Sequence, residues 1–239
     1  MKAWLRYTLC GVISAGFITG MVFLVRETRA RHSELECKSL EVELADDYRF
    51  VNEDDVRQLV LKRYGTFEGK KLDSLDLARI ERLLDSQSAV QRSEAWVTDE
   101  GTLHVRVQQR KPEIRFLNGK DGFYVDETGY IFPLFERFTA PCPLIQGPLP
   151  KDEEWIARTL DLIRYMNASW MARTDSIGVD SAGHLTLKLD GKPEEFFFGF
   201  PEDFQTKFTK VKEYCESIRP EGKDYSDIDL TFDKQIVCR

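Results

Sequence analysis

Histidine is almost missing from this sequence, with three in 239 residues. None of them, His32, His104 or His184, has a neighbouring Cys or Ser that would make a base and nucleophile pair, so each reads as a surface side chain. Five cysteines include no CxxC pair and have no histidine close by, which argues against a zinc site. Neither GxxxxGK[ST] nor GxGxxG occurs, and the glycines are scattered singly, so no phosphate cradle or cofactor site is supported. Positive charge is short beyond residue 31, where 29 Lys and Arg face 40 Asp and Glu. Such a surface repels phosphate backbones and disfavours nucleic-acid binding. The acids cluster at Asp46-Asp47, Glu53-Asp54-Asp55 and Glu194-Glu195, a pattern that caps helices or keeps a surface soluble, and general acid–base work would need a cleft around them. Catalytic, cofactor and metal residues are therefore expected to be none.

Long apolar runs are equally scarce: there is one, Tyr7 to Val25, nineteen residues without a charge. That length approaches the ~20 residues a helix needs to cross the ~30 Å hydrocarbon layer. It exceeds the ~7–15 residue core of a secretory signal. A cleavage site near Ala30 is poor because Arg29 and Arg31 flank it, and Cys10 falls too early in the run for lipoprotein attachment. The run therefore reads as one retained membrane anchor, in which Gly11, Gly16 and Gly20 would allow close helix packing. Charge leaves the orientation open, since Lys2 and Arg6 precede the run while Arg26, Arg29 and Arg31 follow it.

Beyond the anchor, periodicity sets an order of elements. Leu40, Val42 and Leu44 alternate with polar residues as a half-buried strand within Cys37 to Leu44. Asn52 is a good N-cap, with Asp55 three residues on, for a helix carrying Val56, Leu59 and Val60. Leu77, Ile80 and Leu84 share one face of a second helix over Leu75 to Leu84, capped by Asp73 or Ser74. Two strands, Val90 to Val97 and Thr102 to Gln108, flank an Asp99-Glu100-Gly101 hairpin. Short strands at Ile114 to Leu117, Gly122 to Val125 and Tyr130 to Pro133 follow Lys111-Pro112. A helix over Glu153 to Asn167 comes next, then strands at Leu185 to Leu189 and Glu195 to Phe200. A helical stripe of Phe204, Phe208, Val211 and Cys215 precedes a final strand pair in Ser226 to Arg239. Phe196-Phe197-Phe198 reads as a strand buried against the adjacent helices. The late cysteines Cys215 and Cys238 stand as free buried thiols, with a bridge between them as the alternative in an oxidising compartment.

The strand-helix-helix-strand-strand order after an anchor resembles a POTRA domain. Four landmarks then appear in sequence: LHVRVQQRKPEIRF at Leu103 to Phe116, GFYVDETGYIFPL at Gly122 to Leu134, PLIQG at Pro143 to Gly147, and DLTFDKQIVCR from Asp229 to Arg239. Together they resemble the FtsQ/DivIB family of bacterial cell-division proteins over nearly the whole chain. That resemblance implies an α+β chain with a single transmembrane helix, a POTRA-like β-α-α-β-β domain, and a second mixed β domain with flanking helices. Its bounds would be a cytoplasmic stub at 1–6, a span at 7–25, a linker at 26–36, a POTRA-like domain at 37–111 and a β domain at 112–239.

The resemblance also implies a non-enzymatic scaffold in the inner membrane, with its folded domains periplasmic, acting at the septum and controlling septal peptidoglycan synthesis. Implied partners are FtsB- or DivIC-like and FtsL-like proteins and other division membrane proteins. No cofactor, nucleic acid or small-molecule substrate is expected. A partner would add a strand to the open edge of the terminal strand, which no sequence after Arg239 covers. The contact residues in the matching stretch would be Tyr225, Ile228, Leu230, Phe232, Gln235 and Val237, although Ile228, Leu230 and Phe232 also suit a core. The POTRA-like part offers its second strand edge and the Val97 to Leu103 hairpin. The alternatives are a POTRA-bearing transport or outer-membrane assembly component, and a membrane-anchored envelope enzyme.

Overall fold

A computed structural model describes residues 16–23, 35–148, 152–168, 174–189, 191, 193–222 and 225–239. Residues 16–23 form a helical stretch, α1, whose Phe17, Ile18 and Met21 side chains are exposed. The rest of the apolar run Tyr7 to Val25 lies outside the described residues, as does His32. Among the described residues no helix is long and apolar enough to cross a membrane. The remaining described chain divides into two compact units, one holding 51–109 with the residues before Tyr48, the other holding 110–239 together with Tyr48–Phe50.

In the first unit β1 (Ser39–Leu44), α2 (Glu53–Arg63), α3 (Leu77–Asp85), β2 (Val90–Val97) and β3 (Thr102–Gln109) follow in that order. The sheet order is β1-β3-β2, with β1 parallel and β2 antiparallel to β3. α2 starts where expected: Asn52 Oδ1 accepts from the Asp55 amide at 2.7 Å and Asp55 Oδ2 from the Asn52 amide at 3.2 Å, closing a capping box. Helix α3 begins two residues later than its periodicity suggests. Leu72–Ser74 closes a separate 3-10 turn, Leu75 is extended with its side chain in the core, and Asp76 rather than Asp73 or Ser74 caps the helix by accepting from Arg79 at 2.9 Å. The hairpin between β2 and β3 requires glycine at 101. Its φ is +90°, and an added Cβ would stand 2.6 Å from the Glu36 carbonyl. Val56, Val60, Ile80 and Leu84 from the two helices bury against Leu40, Leu103, Val105 and Val107 of the sheet.

The second unit is built on a nine-stranded sheet. Its strands are β4 (Pro112–Asn118), β5 (Asp121–Asp126), β6 (Ile131–Pro133), β7 (Leu144–Gln146), β8 (Thr174–Val179), β9 (Leu185–Leu189), β10 (Glu195–Gly199), β11 (Asp227–Asp229) and β12 (Val237–Cys238). Their spatial order is β12-β11-β10-β9-β8-β7-β4-β5-β6. Two helices, α4 (Glu153–Asn167) and α5 (Phe204–Glu213), bury apolar stripes in the same core, where Tyr165 of α4 stacks on Phe208 of α5 at 5.4 Å. Phe208 in turn meets Phe198 of β10 at 5.3 Å.

Strands β7 and β8 carry no strong pattern in the sequence. They enter the middle of the sheet in parallel, β7 against β4 and β8 against β7. The PLIQG landmark thereby gains a physical reason. Gly147 has φ +136°, and a Cβ there would sit 1.9 Å from the Val179 carbonyl, so the exit from β7 admits no side chain. Phe50, far away in sequence, belongs to this unit: its ring packs at 5.1–5.6 Å from Tyr124, Phe132, Phe135 and Phe138.

Candidate partner-binding edge

Strand β12 forms one end of the nine-stranded sheet, and its hydrogen bonding fixes what it presents outward. Arg239 donates to the Asp227 carbonyl at 2.9 Å and accepts from the Asp227 amide at 3.2 Å, while Ile228 stands opposite Cys238. In an antiparallel ladder bonded and non-bonded pairs alternate, so the N–H and C=O of Cys238 point away from β11 toward the open edge. Two side chains brace the loop before this strand. Lys210 of α5 donates to the carbonyls of Leu230, at 3.1 Å, and Phe232, and Asp229 Oδ1 accepts from the Thr231 amide and hydroxyl at 3.0 and 2.6 Å.

The six residues read as contacts separate by burial. Ile228 and Leu230 are fully buried, and their side chains fill the core rather than face a partner. Tyr225 is half-buried against that core. Phe232 is exposed at 42%, Gln235 is exposed, and Val237 is half-buried on β12 itself. The strand β11 spans three residues; Leu230, just past it, still makes the next parallel rung by donating to the Phe197 carbonyl of β10 at 3.1 Å, and the alternation does not carry on to Phe232.

A groove beside the edge was not anticipated. Phe196 and Phe198 turn into the core, and the intervening Phe197 turns to the opposite sheet face. There it lines a depression of about 490 Å³ with Glu195, Asp227, Asp229, Val237 and Arg239. The signal in the sequence was period two within the Phe run, which puts its middle residue on the other face.

Behind the edge, the acid pair Glu194-Glu195 is also split. Glu194 is buried rather than at the surface, accepting from Arg219 Nε at 2.9 Å and from the Tyr214 hydroxyl at 3.3 Å, while Glu195 is exposed. Burial, and then the Glu194 carboxylate, pushes the Tyr214 phenol up to about 12. The described histidines are not simple solvated side chains. His104 stacks on Trp96 at 5.2 Å and meets Glu41 at 3.4 Å; His184 pairs with Asp180 at 3.0 Å and packs its ring 4.5 Å from Phe200. Cys37, Cys142, Cys215 and Cys238 form no disulfide with one another. Burial raises the Cys238 thiol above its ordinary value and pushes Cys142 up to about 11. Among the described residues no three His, Cys, Asp or Glu side chains gather as a metal ion would need.

Comparison with known proteins places these features. No curated protein matches the chain. A POTRA-like domain model covers residues 35–108, and a model described as FtsQ/DivIB, C-terminal related, covers residues 111–239, more than half the chain. Domains of these two kinds are typically non-enzymatic scaffolds. With an open-ended sheet in the matched region, the chain belongs to the FtsQ/DivIB family of cell-division proteins and carries a POTRA-like domain ahead of the family's C-terminal module.

Proposed function

We propose that this protein is a non-enzymatic scaffold of the bacterial division complex, held in the inner membrane by one helix, with both folded units on the periplasmic side. It links early and late division proteins and controls septal peptidoglycan synthesis by binding FtsB- or DivIC-like and FtsL-like partners. The partner adds an extended strand to β12. One observation carries this reading: the main-chain groups of Cys238 face a sheet edge that is unpaired among the described residues, within the stretch matched by the FtsQ/DivIB model. Main-chain pairing supplies the attraction, and Phe232, Gln235 and Val237 supply the side chains that select the partner. Ile228 and Leu230 act from beneath by fixing β11 in the core, and Tyr225 steadies the entry to β11.

The test is a pair of proline variants assayed for binding to a purified FtsB/FtsL-type coiled pair. Cys238→Pro removes an outward N–H and leaves the β11 pairing intact, which an edge strand tolerates. It should weaken binding at least ~10-fold while lowering the melting temperature less than Val237→Pro does, since each ~1.4 kcal/mol of lost contact is tenfold in affinity. Val237→Pro removes an inward N–H and should lower both. Undiminished binding by a stably folded Cys238→Pro protein would overturn strand addition at β12.

A further inference from the structure

The opposite end of the nine-stranded sheet carries a second, differently built surface. Edge strand β6 and one face of α4 wall a groove of about 570 Å³, within the ~300–1,000 Å³ usual for ligand clefts. Ile156 and Leu160 form its floor, each about nineteen-twentieths buried, and Ala157 lies exposed along the helix wall. Tyr130 and Ile131 form the strand wall and are exposed at 44% and 46%. Large apolar side chains left this open mark interaction sites more often than chance placement does.

The groove is preformed. The Tyr130 amide donates to Asp126 at 3.0 Å, and the Arg110 guanidinium lies 3.7 Å from the centre of the Tyr130 ring. Arg164, across the groove, donates to the Glu127 carbonyl and to Asp161 at 3.2 Å. Walls held in this way lower the ordering cost of binding.

Its main-chain offering is narrow. The Asp126 amide donates to the Tyr130 carbonyl, and Val125 stands opposite Ile131, so the N–H and C=O of Ile131 point outward. Two residues on, Pro133 occupies the next outward position and has no N–H to give. The edge can therefore make one short bridge and no continuing ladder. Its rim is acidic: Glu127, Glu153 and Asp161 surround the opening, and the two cations beside it among the described residues, Arg164 and the Arg110 that stacks on Tyr130, are both already engaged.

We infer that this groove binds a short extended segment of another protein, one apolar side chain seated between Tyr130, Ile131 and Leu160, flanked by lysine or arginine. The apolar residue covers the exposed wall, the flanking cations meet the acidic rim, and the main chain bridges at Ile131. This surface is separate from β12 and does not depend on strand addition there.

The probe is a fluorescein-labelled heptapeptide, Lys-Arg-Gly-Leu-Gly-Arg-Lys, titrated by anisotropy into the full-length protein in a mild detergent. A second peptide has every cation replaced by glutamate, and a third has Gly for Leu. Saturable binding of the first peptide alone is expected. Ala157→Trp fills the groove from an exposed helix position and should reduce affinity more than ~10-fold, the loss of about one well-placed apolar anchor. Glu127→Lys with Glu153→Lys should reduce it by a similar factor and flatten its salt dependence. Cys238→Pro, and Glu195→Lys with Asp227→Lys, should leave it unchanged. Circular dichroism verifies that each variant folds. No saturable binding, equal binding of the glutamate or glycine peptide, or insensitivity to Ala157→Trp would overturn the inference.

Discussion

Asp126 shows how one side chain holds a turn. Its side chain is almost completely buried, yet it accepts four hydrogen bonds: from Arg110 at 2.7 Å, from the Thr128 hydroxyl and amide at 2.6 and 2.8 Å, and from the Tyr130 amide at 3.0 Å. Burial pushes its carboxyl up, but the bonds from Thr128, Arg110 and Tyr130 outweigh burial and hold it below the ordinary carboxylate range. The charged form is thus favoured in the folded state. Between the folded and unfolded values the unfolded chain binds the extra proton, so the contribution is complete above about pH 4 and is lost as pH falls through the lower folded value. Asp126→Asn should cost roughly 3–5 kcal/mol at pH 7, because it removes the negative charge from a buried ion pair with Arg110. The same substitution should make the acid limb of the stability curve shallower than in the parent. Urea midpoints at pH 7 and pH 3 would test both, and parallel curves for the two proteins would refute the assignment. The GFYVDETGYIFPL landmark displays this residue in the sequence, but the four donors converge on it only once β5, the turn and Arg110 are in place.

At the scale of elements, legibility followed the strength of local periodicity. Helix α4 matches its expected span, with Trp155 and Leu162 buried in addition to the Ile156, Thr159, Leu160, Ile163 and Met166 stripe, and β2 and β3 match to within a residue. Helix α4 and β3 repeat or alternate along their length, so a single burial face is written into the local chain, whereas β2 buries Val90 and Ser93 on opposite parities across a register shift between Val90 and Arg92. Strands β7 and β8 escaped for the opposite reason. β7 spans three residues, Thr174–Val179 reads TDSIGV with little apolar alternation, and parallel neighbours far away in sequence define both. The same argument divides the edge residues. Ile228 and Phe232 look equivalent along the chain, and only pairing with Phe196 commits the first to the core.

Phe50 is the extreme case: it lies between β1 and α2, and nothing nearby in sequence reveals that Tyr124, Phe132, Phe135 and Phe138 surround it. Phe50→Ala should therefore destabilise that unit by about 3–5 kcal/mol, as expected for a buried Phe whose cavity cannot collapse. Hydrogen exchange should quicken at β5 and β6 and stay unchanged across β1, β2 and β3. Faster exchange confined to the first unit would contradict the packing.

For the whole molecule, the question is what the residues before Leu35 contribute. Both family models begin at or after residue 35, and the family is one of division-site membrane proteins. Function in the proposed scaffold then needs two things of the chain: that it be tethered at the membrane, and that the β12 edge be free. Neither requires a particular anchor sequence. The folded region is strongly acidic, 29 basic against 40 acidic residues after residue 31, so it has no electrostatic means of holding to an anionic membrane surface by itself. Replacing residues 1–34 with an unrelated single-span anchor of the same orientation should thus restore mid-cell localisation and completed septa in cells depleted of the protein. Exporting the folded region without any anchor should leave filaments. Imaging a fluorescent fusion during depletion reads both outcomes. Failure of the swapped anchor, with the protein stable and membrane-bound, would mean that the native segment itself contacts a partner, and Gly11, Gly16 and Gly20 would be the first positions to exchange for leucine, because close helix packing depends on such small residues. Rescue by the untethered form would instead remove the membrane from the mechanism and leave the sheet edges to carry recruitment alone.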